Sequence, residues 1–119
     1  TWFLTGMEKH SDERRDDLYN DGDLFFRTML HQMSGFYTQS LQTAMNELSN
    51  HDHSRFLTRT NRTVGRTGSM GPGAAEQGVR KSVLRMAVVV QMTWPGAPTI
   101  YYGDEAGLCG WTDPDNRRC

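Results

Sequence analysis

Along this chain, stripes of apolar residues at helical spacing alternate with short apolar runs that end in polar loops. Phe26, Leu30 and Met33 fall at i, i+4 and i+7, one face of a helix. Asp21 and Asp23 stand before them, where a carboxylate can accept from the free N–H groups of a first turn. Gly35 follows as a stop. The pattern predicts a helix over residues 22–34. Residues 41–48 alternate weakly and run into the polar cluster Ser49-Asn50-His51-Asp52, which reads as a short, half-buried strand closed by a loop. Residues 61–78 are punctuated by Gly65, Gly68, Gly71, Pro72, Gly73 and Gly78, hence loop. Val79, Val83, Met86 and Val90 recur at helical spacing, and Leu84, Ala87 and Val88 widen the stripe, predicting a helix over residues 74–93. Pro95 and Pro98 end it. Thr99-Ile100-Tyr101-Tyr102 is β-branched and aromatic, which favours strand, and Gly103-Asp104-Glu105 breaks it. Residues 1–20 open apolar and turn densely charged, reading as an exposed loop or short surface helix. The tail from Gly107 reads as polar loop.

Helix, strand, helix, strand is the order that favours a parallel sheet with crossover helices, an α/β fold. Both predicted strands end in acidic loops. Chemistry in such folds sits beyond the carboxyl ends of strands.

Composition changes this picture in two ways. Only 36% of the 119 residues are hydrophobic, against roughly 45–50% in an average domain by a count that includes Gly. Such a share fits a segment whose buried faces are completed by further chain, or long polar loops. The net charge of −1 gives phosphates nothing to bind, which excludes nucleic-acid recognition by electrostatics. Arg55, Arg59, Arg62 and Arg66 are read as a solvated loop. Cys109 and Cys119 make no disulfide framework and no zinc spacing. No apolar run approaches the ~20 residues of a membrane span. The start at Thr1 has no signal-peptide character. That start and the stop at Cys119 lead to the expectation of a truncated chain.

Three segments carry the chemistry. Asn50-His51-Asp52, with Arg55-Phe56 after it, reads N-H-D-x-x-R-F. Residues 96–107 read G-A-P-T-I-Y-Y-G-D-E-A-G. Residues 113–118 read D-P-D-N-R-R. Taken singly, Asp52 is a turn or N-cap residue and His51 a satisfied loop residue. Asp104 and Glu105 look like an acid–base pair, though a loop-building role fits them better. Tyr101, Tyr102 and Trp94 could stack on a sugar but fit core aromatics better; Trp111, in the loop, is the better sugar-stacking candidate. In this order, with a helix between the first two, the segments resemble the seventh and eighth strand regions of the α-amylase family of glycoside hydrolases. The last segment, residues 113–118, is most like that of its neopullulanase, cyclomaltodextrinase and oligo-α-glucosidase members.

The resemblance implies the C-terminal part of a (β/α)8 barrel, about strands 7 and 8 with their helices. Residues 1–119 would then be a partial catalytic barrel and no complete domain. It implies retaining cleavage of α-1,4 or α-1,6 glucosidic bonds, with an α-glucan or malto-oligosaccharide as partner. Separately, no cofactor or metal is expected. Such cleavage needs a nucleophilic carboxylate and an acid–base carboxylate around an oxocarbenium-like transition state. By resemblance Asp52 is a third carboxylate, which grips the sugar hydroxyls and stabilises that state. His51 would donate to the same sugar and Asn50 would brace the turn. Arg55 is placed with the substrate-binding residues, as an anchor of the loop or of a neighbouring carboxylate. Asp113 and Arg117 would hold further glucose units on the donor side. The segments that carry the nucleophile and the acid in the family have no counterpart here, and Glu8, Glu13, Glu47 and Glu76 lack a suitable setting. The chain alone is therefore expected to be inactive, and 119 residues fall well short of the roughly 250 of a full barrel. Unpaired strand edges would favour a homo-oligomer. The alternative is a non-catalytic carbohydrate-binding or structural protein derived from the family. Location stays open.

Overall fold

A computed structural model describes residues 2–118, so Cys119 lies outside the described residues. The helices are α1 (Trp2–Thr5), α2 (Gly22–Ser34), α3 (Thr38–Thr43), α4 (Phe56–Arg59), α5 (Thr67–Met70) and α6 (Lys81–Thr93). The strands are β1 (Met45–Asn46) and β2 (Ala97–Pro98), and short 3-10 turns cover Pro72–Glu76 and Asp115–Arg117.

The predicted bounds of α2 are the observed ones. Asp21 accepts from the Leu24 N–H at 2.8 Å, and the Gly35 N–H closes onto the Gln32 carbonyl. Asp21→Ala removes that cap and is expected to cost about 1 kcal/mol, read as a lower urea midpoint at an unchanged slope.

The buried side of α2 differs from the expected one. Phe26 and Leu30 are 54% and 47% exposed. The helix instead docks through Phe25, whose ring lies 5.5 Å from Phe3 and 5.8 Å from Trp94, with Met29 beside it. Two adjacent stripes of α2 are apolar, and spacing alone cannot choose between them. The aromatic partners Phe3 and Trp94 make the choice.

The predicted strand over residues 41–48 is corrected to α3 followed by the two-residue β1. Thr43 Oγ1 bonds back to the Gln39 carbonyl, which extends the helix, and the chain leaves it at Ala44 in extended geometry. The predicted strand over residues 99–102 lies two residues earlier. The pairing is parallel, Met45 opposite Ala97 and Asn46 opposite Pro98. The ladder donors are the N–H groups of Ala97 (to the Ala44 carbonyl, 2.7 Å) and Thr99 (to the Asn46 carbonyl, 2.9 Å). Pro98 falls between them, where no donor is required, so its missing N–H costs nothing. Gly96 is required by close approach: with φ at 139°, a Cβ there would lie 2.7 Å from the Ala44 carbonyl oxygen.

The helix expected over residues 74–93 begins only at Lys81. Gly78 at positive φ separates it from the 3-10 turn. Its buried line is Val83, Ala87 and Gln91. Gln91 Nε2 donates to the carbonyls of Asn46 and Thr99, one beside each strand, and so pins α6 across the pair. Phe56 of α4 packs with Val83 and Ala87, and Leu4, Leu48 and Leu84 close around them. Met86, Val89, Met92 and Ile100 remain exposed.

Residues 2–20 are not simply an exposed loop. Met7 is buried and bridges to Arg14, and the Lys9 carbonyl accepts from the Ser54 N–H. No described helix is long and apolar enough to cross a membrane.

Candidate active site

The chain leaves β1 into residues 47–55, the first of the two acidic loops. Asn50 organises it. Its Nδ2 donates to the Glu47 carboxylate, and its Oδ1 accepts from the N–H groups of Asp52 (3.0 Å) and His53 (3.1 Å). An Asn accepting from the backbone two residues on builds a tight turn. The turn throws two side chains outward: His51 and Asp52 are 68% and 67% exposed, with Nε2 3.5 Å from Oδ1. From beneath, the turn rests on residues 110–118. Thr112 Oγ1 donates to the Asp52 carbonyl at 2.9 Å, and Asn116 Nδ2 to those of His51 and His53. A Cβ on Gly110 would meet the Asp115 carbonyl oxygen at 2.6 Å, so that loop closes only over glycine.

The same loop carries Asp113 and Arg117, which pair at 3.0 Å and are both half-exposed. An exposed pair of this kind is worth only about 0–1 kcal/mol. The Tyr102 hydroxyl donates to the Arg117 carbonyl at 2.8 Å and ties the β2 side to this loop.

Arg55 requires a correction: it is not solvated, its exposure being 0%. Its contacts are those of an anchor, made from inside. Nε donates to the Asn116 carbonyl at 2.8 Å. Nη1 donates to the Tyr102 carbonyl and lies 3.2 Å from Asp104 Oδ1. The guanidinium carbon stands 4.2 Å and 4.8 Å from the ring centres of Tyr101 and Tyr102. Arg55 thus joins the Asp52 loop, the β2 exit and the Asp113 loop from inside. Asp104 is occupied there as its counter-charge. Burial pushes its carboxyl above the ordinary 3.8, while Ser49 and Arg55 pull the other way.

Arg59 is buried as well, donating to the Leu48 carbonyl, and burial pushes its guanidinium down to about 10. At neutral pH it stays charged. Only Arg66 of the four arginines is exposed, paired with Asp12; Arg62, partly buried, meets Asp16 and stacks on Tyr19. The carboxylates that meet these arginines come from the charged segment 12–17 and from residue 104, a long-range matching that local spacing does not reveal.

Trp111 is also corrected. It is fully buried; its backbone N–H donates to Asp115 Oδ2, and its Nε1 to the Gly71 carbonyl at 3.0 Å. It cannot stack on a sugar. Trp94 lines an apolar cavity of about 230 Å³ with Phe3, Phe25 and Met29, and none of the residues of the Asp52 turn's exposed face borders it. Tyr102 is the aromatic near the turn with an open surface.

His53 packs edge-on to His10 at 5.7 Å, and His10 Nδ1 lies 3.1 Å from Thr112 Oγ1. Burial first, then the charges of Arg59 and Lys9, holds His53 below the usual 6.5. A lowered folded-state value means the unfolded chain binds the proton more readily. Stability from this group is complete above about 6.5 and is lost as pH falls below it. His53→Gln is expected to flatten the dependence of the unfolding midpoint between pH 7 and 5.

Sequence reasoning missed Thr112, Asn116 and His10. Asn116 was read only as one residue of the 113–118 segment, between its Asp113-Pro114 and Arg117-Arg118 ends, and was given no role there. Among the described residues no three His, Cys, Asp or Glu side chains converge as a metal-holding group.

The α-amylase catalytic-domain family matches residues 5–118. A cyclomaltodextrinase of Thermoanaerobacter pseudethanolicus is 37% identical over 95 residues, 79% of this chain and 14% of that protein. Neopullulanase 2 of Thermoactinomyces vulgaris is 44% identical over 80 residues, 67% of this chain and 11% of that protein. An amylopullulanase of Thermoanaerobacter thermohydrosulfuricus is 42% identical over 76 residues, 64% of this chain and 5% of that protein. The chain spans at most about a seventh of the length of these three relatives. The parallel β1–β2 pair crossed by α6 fits part of the barrel that this catalytic domain forms. The chain belongs to the α-amylase family, within its catalytic domain.

Proposed function

We propose that this chain supplies the sugar-gripping wall of a retaining α-glucan active site. Residues 1–119 are read as the last part of the barrel, with β1 and β2 as its seventh and eighth strands. Asp52 stabilises the oxocarbenium-like transition state and His51 donates to the same sugar. Asp113 and Arg117 hold the next glucose units on the donor side. Arg55 serves from inside, as the anchor of both loops. The substrate is an α-1,4- or α-1,6-linked glucan or malto-oligosaccharide.

One observation carries this reading: a carboxylate and an imidazole, 3.5 Å apart and mostly exposed, on a turn whose backbone is bonded on both sides. A structural Asp in a turn accepts from its own loop. Here Asn50 performs that task, and Asp52 is left free for something outside. An anion placed there meets the positive charge that develops on the sugar ring.

The nucleophile and the acid belong to segments with no match in this chain. Bond cleavage therefore requires the other barrel strands, and the exposed Met86, Val89 and Ile100 are read as faces those strands or a second copy would cover. The assay is release of reducing sugar from maltotriose and pullulan by the chain whose intact mass has been confirmed. No release is expected. Release would mean that Asp104, Glu105 or Asp113 performs the chemistry, and the assignment of Asp52 would fall.

A further inference from the structure

We propose that Asn116 is a positioning residue that sets the Asp52 turn, and that it couples this turn to the loop of Asp113 and Arg117. The proposal rests on the reading of Asp52 as the sugar-gripping carboxylate.

Four successive backbone carbonyls, residues 50 to 53, are all met from one side. Asn116 Nδ2 stands 3.4 Å from the Asn50 carbonyl oxygen, 2.8 Å from that of His51 and 2.6 Å from that of His53. Thr112 Oγ1 takes the remaining one, Asp52, at 2.9 Å. An NH2 group has two hydrogens, so the two short contacts are the bonds and the third is a long, shared one.

This convergence fixes which way the amide points. Three carbonyl oxygens around one atom demand a donor, and the flipped amide would set oxygen against oxygen. The nitrogen side is satisfied at the expense of the other. Asn116 is fully buried and its Oδ1 has no hydrogen-bond partner among the described residues. Burying an acceptor unpaired is unfavourable. A side chain retained for packing alone would be better as an apolar group of the same size. The contacts of Nδ2 are what the residue is for.

Asn116 is itself held, because Arg55 Nε donates to its carbonyl at 2.8 Å. It lies between Asp113 and Arg117 on one short loop. A ligand that shifts this pair therefore shifts the donor beneath Asp52, and the two halves of the site move as one body.

The test uses 15N-labelled chain without sugar, comparing wild type with Asn116→Asp and Asn116→Ser at each pH. The reporters are the amide nitrogens of His51, Asp52 and Ser54, which share peptide groups with the three carbonyls that Asn116 meets. At pH 7 the carboxylate of Asn116→Asp faces carbonyl oxygens and donates nothing. The three reporter signals are expected to shift, while those of Val83 and Ala87 in α6 hold. Lowering the pH protonates the new carboxyl, whose neutral form is favoured by those oxygens. One O–H donor is restored and the reporters return toward the wild-type positions at that pH. Asn116→Ser shifts the same reporters with no such recovery. A residue that only fills space would move reporters and α6 together and show no pH-dependent rescue. The proposal is overturned if the reporters move no more than Val83 and Ala87, if acid does not bring them back, or if both variants unfold. Because no sugar is present, a failure of maltotriose to bind would count against the proposed function and not against this role.

Discussion

In the complete barrel, Asp52→Asn is expected to lower kcat by about 10²–10³-fold while KM changes little. The magnitude is that of removing one preorganised group aimed at charge that develops in a transition state. Asn keeps the shape and one acceptor oxygen, so the ground-state sugar is still held. What is lost is the anion opposite the oxocarbenium-like centre, and that interaction strengthens only as the bond breaks. Asp113→Ala, in a half-exposed pair on the neighbouring loop, is expected to show the reverse split, with KM raised and kcat largely kept. Steady-state kinetics on maltotriose with each variant separates the two. Equal losses in KM for both variants would mean that Asp52 is a binding residue only.

The second large effect is on stability. Arg55→Met is expected to cost about 3–5 kcal/mol, read by urea unfolding, because it leaves the largely buried Asp104 without its partner. The carbonyls of Tyr102 and Asn116 lose their donors at the same time. Arg55→Lys is not expected to rescue: an ammonium cannot reach Asp104 and both carbonyls while lying over Tyr101 and Tyr102. The loss has a predictable pH dependence. Burial raises the Asp104 carboxyl above 3.8 in the folded chain, and removing Arg55 removes a charge that lowers it. A raised folded-state value contributes stability fully below the unfolded value, which is lost as pH rises through the folded one. The Arg55→Met deficit should therefore grow as pH rises from about 4. Replacing Asp104 with Leu in the same chain is expected to recover most of it, since no buried charge then lacks a partner.

The Asp21 cap, the helix to Ser34 and the Gly35 stop follow from local chemistry; for Asp52 local chemistry gave only a turn or N-cap residue, and Asn50 as the brace of that turn came from the family resemblance. Arg55 and Arg59 were not legible. Four arginines in a row of polar residues look solvated, and the groups that neutralise Arg55 lie some 50 residues further along the chain. Trp111 failed for the same reason: its indole partner is the Gly71 carbonyl, forty residues away. The buried side of α2 was ambiguous because both of its stripes are apolar and only Phe3 and Trp94 decide between them. The first strand was drawn too long and the second two residues late because each is two residues long, too short for any periodicity, and Pro98 sits inside a ladder that needs no donor from it.

The most direct measurement is a titration of the 15N-labelled chain with maltotriose. The account predicts that signals of His51, Asp52, Asp113 and Arg117 shift together along one saturable curve. Shifts confined to the apolar cavity around Phe25 and Trp94, or none up to saturating sugar, would contradict the assignment of this turn and loop as a glucan-binding wall.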